Sequence, residues 1–299
     1  MNYIVIDTPG LYAQHRGEVP KQLCVDVQIP AAFGGHGGGA LYIDTEGSFY
    51  PRRVAQMAEA AVAHCRHIAE TDDAPGQREA MQGFTVEAIM SRIHYKRCSD
   101  HDELTAAVRV LPAFLRTHPT VKLIVIDSIA YHFRYDFDDF ALRNQLLGRI
   151  AQTLLRLATE RDLAVVLTNQ MTTKFSDDGQ SFSVPALGDA WSHASTVRVI
   201  LSSAGTVRRA ALYKHPARGE GTACYQILTE GIRDVVDSPP SPPGHAGDRP
   251  GSGGQGRLRS RGQGRPESEG QGRSWSGGQA RPESESQGRP GKRPRLDDC

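Results

Sequence analysis

Paired cysteines are missing from this 299-residue chain. Its five thiols, Cys24, Cys65, Cys98, Cys224 and Cys299, form no Cys-x-x-Cys unit and have no histidines at zinc spacing. That excludes a zinc ribbon, a thioredoxin-like redox pair and a disulfide scaffold. It fits idle thiols in a reducing compartment. No apolar run approaches the roughly 20 residues of a membrane span. The apolar start Met1–Asp7 lacks a basic lead and a small-residue cleavage site, so it makes a poor signal peptide. These absences predict a soluble intracellular protein with no membrane partner. A guanine-selecting Asn-Lys-x-Asp is also absent, so Asp7-Thr-Pro-Gly10 is read as a turn after a strand rather than a GTPase switch.

Charge is nearly balanced overall but unevenly distributed. Of 35 Lys+Arg and 34 Asp+Glu, 11 and 7 fall beyond Asp237, so that tail is +4 and the preceding body −3. A body of that charge is no general trap for nucleic acid, and any contact must come from local loops or partners. Composition divides the chain the same way. Residues 238–299 are Gly, Pro, Ser, Gln and Arg, with Arg257, Arg265, Arg273, Arg281 and Arg289 recurring every eight residues. Such a tail cannot bury enough apolar surface to offset chain entropy and is expected to be disordered. Its end, Lys292-Arg293-Pro294-Arg295, has the composition of a nuclear-import signal. The expected organisation is a divergent start over 1–30, a core over 31–237 and the tail over 238–299.

Within the core, three short apolar runs end in groups able to meet a nucleotide. They are Leu41–Asp44 leading to Glu46, Leu123–Ile126 leading to Asp127, and Ala164–Leu167 leading to Gln170. Strands of this kind, with helices between them, describe a mostly parallel α/β sheet with a ligand on the C-terminal edge. Amphipathic spacing predicts a helix from Pro51 to about Ala69, a second over 101–117 interrupted at Pro112, and a long third over about 140–161. A strand is expected over Ile89–Tyr95, and Tyr3–Ile6 is a further candidate strand. Gly34–Gly39 is expected to be a flexible turn, since it holds no Lys and feeds a strand. Met171–Pro185 shows no periodicity and is predicted to be a polar loop. Val197–Leu201, Arg209–Leu212 and Ala223–Leu228 are predicted to be short antiparallel strands on one edge.

Phosphoryl transfer needs a phosphate cradle, a magnesium ligand, an oriented water and a sensor. Asp127 suits the magnesium ligand, Glu46 the group that polarises water, and Gln170 the sensor.

Asp44-Thr-Glu-Gly-Ser-Phe49, Leu123-Ile-Val-Ile-Asp-Ser128, Leu167-Thr-Asn-Gln170 and His193-Ala-Ser-Thr196 together resemble the RecA-type strand-exchange recombinases. Val25-Asp-Val-Gln-Ile-Pro30, Asn169–Lys174 and Val184–Trp191 look like the C group of the eukaryotic recombinase paralogues. The resemblance spans about Lys21 to Asp237. It implies a RecA-like fold, ATP and Mg2+ as cofactors, and work in DNA repair by homologous recombination. The implied partners are DNA (single-stranded and junction), other recombinase paralogues and the strand-exchange recombinase.

By the same resemblance, Glu46 is the catalytic residue, Lys21 the phosphate-loop lysine, Arg53 lies against the adenine, Asp127 orders magnesium and Gln170 senses the γ-phosphate. His193 couples subunits. Arg134 and Arg143 in the loop Tyr131–Arg143, and Lys174 in the segment Met171–Pro185, are the DNA-facing cations, although Asp136, Asp138 and Asp139 make the first loop acidic. The tail cluster is the family's nuclear signal, with some cytoplasmic protein allowed.

The chain departs from the family at its start. A phosphate loop ending Gly-Lys-Thr is replaced by Gly17-Glu-Val-Pro-Lys-Gln-Leu-Cys24, so Pro20 stands before Lys21 and no Thr follows it. About one helical turn is missing between Cys24 and Val25. Two readings therefore stay open: an ATP-dependent repair subunit, and a nucleotide-free scaffold of the same fold. A RecA-fold helicase is a third and weaker one.

Overall fold

The computed structural model describes residues 3–8, 17–72, 74–135, 137, 139–176, 179–188, 191, 195–204 and 207–235. They belong to the unit Met1–Pro242. The Arg repeat, the basic cluster Lys292–Arg295 and the expected tail disorder lie outside the described residues, as do His193, Asp136 and Asp138.

Four aliphatic runs form the middle of the sheet. These are β1 (Tyr3–Thr8), β2 (Gly39–Asp44), β4 (Val121–Asp127) and β5 (Ala164–Phe175); β3 (Ile93–Arg97) lies outside β2. β1 pairs in parallel with β5, β5 with β4, β4 with β2, and β2 with β3. Runs buried on both faces read as almost continuously apolar, which is why YIVI, ALYI and LIVI stand out in the sequence. On the far side, β7 (Val197–Ala204) lies parallel to β1 and leads into an antiparallel meander of β8 (Val207–Lys214), β9 (Gly221–Leu228) and β10 (Gly231–Asp234). The order is β10-β9-β8-β7-β1-β5-β4-β2-β3, with β6 (Ser181–Pro185) attached to β5. This is the expected mostly parallel sheet with a terminal meander.

Period-2 alternation divides each central strand between two apolar layers. Leu41, Ile43, Ile124, Ile126, Val165 and Leu167 face one cluster. It is completed by α5 (His101–Thr117), through Leu104, Val108 and Leu111, and α7 (Phe140–Arg161), through Leu147, Ile150 and Leu154. Ala40, Tyr42, Leu123, Val125 and Val166 face the other way, with Cys24 of α1 (Glu18–Asp26). Beside them, α2 (Pro51–Thr71) buries Val54, Met57 and Val62 against Ile89 of α4 (Val86–Ser91), and α3 (Gln77–Gly83) connects the two. Each fully buried aliphatic side chain stabilises by about 1.5–3 kcal/mol.

Local signals set the helix ends. Pro51 opens α2, where its missing N–H is an orphan anyway. Asp100 caps α5 by accepting from Glu103 N at 2.7 Å, and Glu103 reaches back to Ser99 N at 2.8 Å. Asp139 accepts from Ala141 N and Leu142 N at the start of α7. That carboxylate is a helix cap rather than a free charge of the first loop. The loop itself holds a short helix, α6 (Tyr131–Tyr135).

Four expectations are corrected. Ile89–Tyr95 is not one strand: Thr85 caps α4, accepting from Ala88 N, and the strand begins only at Ile93. α5 is not broken at Pro112, because the buried stripe Leu104, Val108, Leu111 and Leu115 outweighs one lost backbone hydrogen bond. Met171–Pro185 is a β-hairpin: β5 runs on to Phe175 and pairs from Met171↔Pro185 to Phe175↔Ser181. Cross-strand pairing, not burial periodicity, defines it. The last correction is one of bounds: Gly34–Gly38 form the turn expected to feed the strand, and the strand begins at Gly39 rather than Leu41. At Gly38 a Cβ would lie 2.5 Å from that of Lys122, so close approach explains that glycine.

The start of the chain is part of the core. β1 lies between β5 and β7, and α1 packs beside it. The segment that joins β1 to α1, residues 9–16, lies outside the described residues. Pro20 sits in the first turn of α1, a position that tolerates it. No helix among the described residues is long and apolar enough to cross a membrane. Cys24, Cys65 and Cys98 are buried. Burial pushes all three thiols up in pKa, the condition of unreactive sulfur.

Candidate functional site

Parallel register brings the chemistry to one rim. Asp44 pairs with Asp127 across β2 and β4, and Thr8 with Gln170 across β1 and β5. Glu46, two residues past β2, accepts from Gln170 Nε2 at 2.5 Å and from Ser128 Oγ at 2.6 Å. Arg134 of α6 donates to Gln170 Oε1. The structure thus assembles Glu46, Asp127 and Gln170 at neighbouring strand ends. It also draws in Arg134, expected to face DNA, as the third member of a Glu46–Gln170–Arg134 chain.

Asp127 is buried and already surrounded. Oδ2 accepts from Tyr42 OH at 2.5 Å and Ser48 Oγ at 2.8 Å, and Oδ1 from Thr168 Oγ1 at 2.5 Å. Burial pushes its pKa up, against the pull of these hydroxyls, and nearby Glu46 adds to the rise. Gly17, in the left-handed region at φ 76°, lies so close that a Cβ there would come within 2.6 Å of Asp127 Oδ2. The start of α1 is seated directly on the carboxylate.

Glu18 governs the cations. Its Oε2 accepts from Arg53 Nε at 2.7 Å and its Oε1 from Lys21 Nζ at 3.5 Å, with all but 7% of its side chain buried. Arg53 also donates to the carbonyls of Leu228 and Thr229, each at 2.6 Å. It ties α1 and α2 to the β9–β10 turn. Gln22 follows Lys21 in the chain, so no Thr hydroxyl stands there. It turns away from the rim, donating to Asp26 Oδ1 at 2.7 Å and accepting from Ile232 N at 3.2 Å. Gly231, at φ 109°, makes room for it: a Cβ there would meet Gln22 Oε1 at 2.0 Å. The described residues therefore do not fit a magnesium nucleotide as they stand. The two candidate cations hold a carboxylate, the candidate metal ligand is enclosed by hydroxyls, and the last ligand is missing.

Two organising groups were not read as site residues from sequence. Asp44 is wholly buried and accepts from the N–H groups of Glu46, Gly47, Ser48 and Phe49 at 2.7–3.2 Å, and from Tyr95 OH and Arg97 Nη1. A strand-ending Asp followed by Thr-Glu-Gly carries that Asx-turn signal. Asp7 accepts from Arg198 Nε at 2.5 Å and Asn169 Nδ2 at 2.8 Å, locking β1 to β7 and β5. Nothing local announces this ion pair. Of the remaining expected cations, Arg143 lies 5.0 Å over the Phe140 ring at the start of α7, and Lys174 is exposed on the hairpin. Among the described residues, no cluster of His, Cys, Asp and Glu could hold a metal ion.

A Rad51 family model matches residues 5–71 and 78–235. The chain is 49% identical over 232 residues to the DNA repair protein RAD51 homolog 3 of Cricetulus griseus, covering 78% of this chain and 62% of the relative. It is 40% identical over 222 residues to the protein of the same name from Dictyostelium discoideum, covering 74% and 58%. The chain thus spans about three fifths of the length of these curated relatives. The family match takes in β1 and α1 as well as the rim that gathers Glu46, Asp127 and Gln170, so sequence and geometry agree that this chain belongs to the Rad51 family.

Proposed function

We propose that the chain is a subunit of recombination complexes in DNA repair, binding DNA and other Rad51-family chains without turning over nucleotide itself. One observation carries this reading: Lys21 and Arg53, the expected nucleotide contacts, share the Glu18 carboxylate. Two aromatic side chains near the cations proposed to face DNA are exposed. Phe140 is 64% exposed beneath Arg143, and Tyr131 is 41% exposed at the head of α6. An aromatic face beside a cation suits a single strand, held by stacking and phosphate contact. β3 ends the sheet, and a groove of about 350 Å3 beside it is lined by His94, Lys96, Val110 and Phe114. An extended segment of another paralogue adding to that edge is the partner contact we assign. Support for loading of the strand-exchange recombinase would follow from these two contacts.

The test is filter binding to single-stranded and junction DNA at low salt, with ATP hydrolysis measured alongside. The expected result is salt-sensitive DNA binding, weakened several-fold by Arg143→Ala with Lys174→Ala, and no turnover. DNA-stimulated hydrolysis would overturn the nucleotide-free reading. It would favour the ATP-dependent subunit, for which the Glu46–Gln170 contact is the supporting observation. The family generally uses ATP and Mg2+, which makes this the natural rival.

The nucleus is the proposed location, with some protein in the cytoplasm, through Lys292, Arg293, Pro294 and Arg295. Lys292→Ala with Arg293→Ala should move a fluorescent fusion to the cytoplasm. An unchanged nuclear signal sinks the assignment.

A further inference from the structure

We propose that Glu18 is the resident anion of the rim: its carboxylate stands in for a phosphoryl group and closes the described site to nucleotide. Three features that favour an anion converge on it. It occupies the first turn of α1, a nine-residue helix whose N-terminal amides and dipole attract negative charge. Lys21 Nζ reaches Oε1, with only 2% of the lysine side chain exposed. Arg53 Nε reaches Oε2 in a short, charge-assisted contact. A phosphate oxygen uses the same donors, so carboxylate and phosphate compete for one place. The carboxylate is covalently attached and always at hand, whereas a phosphate must arrive from solution. The arrangement also gives two cations a task in a site without Gly-Lys-Thr. They hold the chain together, because Arg53 carries the Glu18 contact into the β9–β10 turn.

The inference rests on the nucleotide-free reading but is tested apart from it, with inorganic tripolyphosphate as the probe and no DNA or partner present. Loss of DNA or paralogue binding would therefore leave it untouched. The full chain, Glu18→Gln and the exposed control Glu87→Gln are titrated with tripolyphosphate by calorimetry, and their melting transitions are followed. The original chain and the control should show no saturation below millimolar probe. Glu18→Gln should melt lower, because buried Lys21 and partly buried Arg53 lose the carboxylate between them. Tripolyphosphate should restore that loss, whereas sodium chloride at equal ionic strength should not. Its affinity for the probe should rise about tenfold or more, the equivalent of one good charged contact. Adding Lys21→Gln to Glu18→Gln should abolish the gain. Micromolar binding by the original chain overturns the proposal. So does a folded Glu18→Gln with unchanged affinity. A variant that stays unfolded at every probe concentration overturns it too, since the added anion then cannot replace the carboxylate.

Discussion

Asp44→Ala should lower the melting temperature by on the order of 10 °C and loosen the turn that carries Glu46. The substitution strips the acceptor from four backbone N–H groups, of Glu46, Gly47, Ser48 and Phe49, and from the Tyr95 hydroxyl. An abandoned donor costs about 1–3 kcal/mol where water cannot reach it, and a turn partly open to solvent recovers some of this. A net loss of about 3–4 kcal/mol, at roughly 2–4 °C per kcal/mol for a domain of this size, gives the stated shift. Asp44→Asn keeps the acceptor oxygens in part and should lose much less. Thermal unfolding followed by circular dichroism decides the matter. A change under about 1 kcal/mol would mean that the turn is held by something other than Asp44.

The buried pair Asp7–Arg198 gives the second large effect. Asp7 is wholly buried and Arg198 nearly so, and Asn169 contributes a further hydrogen bond to Asp7. Asp7→Ala removes the carboxylate that faces this buried cation, at a cost of about 3–5 kcal/mol. Arg198→Met alone leaves the carboxylate stranded. The double variant removes both charges, so its cost should fall below the sum of the singles by about 2 kcal/mol or more. Urea unfolding of the four proteins measures the coupling. Additive losses would show that β1 is not anchored through this pair.

Much of the rim was legible because its signals are local. An apolar strand that stops at a carboxylate or amide marks Asp127 and Gln170, and the same kind of stop leads to Glu46; parallel pairing then aligns the stops. The meander and the long helix α7 were equally readable from alternation and the 3.6-residue stripe. What could not be read depends on partners far along the chain. Glu18 meets Arg53 across 35 residues, Tyr42 meets Asp127 across 85, and Arg198 meets Asp7 across 191. No periodicity carries such pairs. The hairpin beyond Gln170 escaped because its described side chains are half-buried or exposed and give no core-facing stripe. The Glu18–Arg53 contact was hidden for the first of these reasons: both are ordinary residues until the fold joins them.

The placement of β1 between β5 and β7 has a consequence for the protein's manufacture. Its bonding partners are translated roughly 160 to 190 residues later, as the Thr8–Asn169 and Asp7–Arg198 contacts show. At about 5–20 residues per second, the ribosome leaves this apolar segment waiting for on the order of ten seconds or longer. During that interval its greasy edges are open to any other nascent strand. The central plank of the sheet is thus available early and seated late, and a cell making this protein has to shelter it in between.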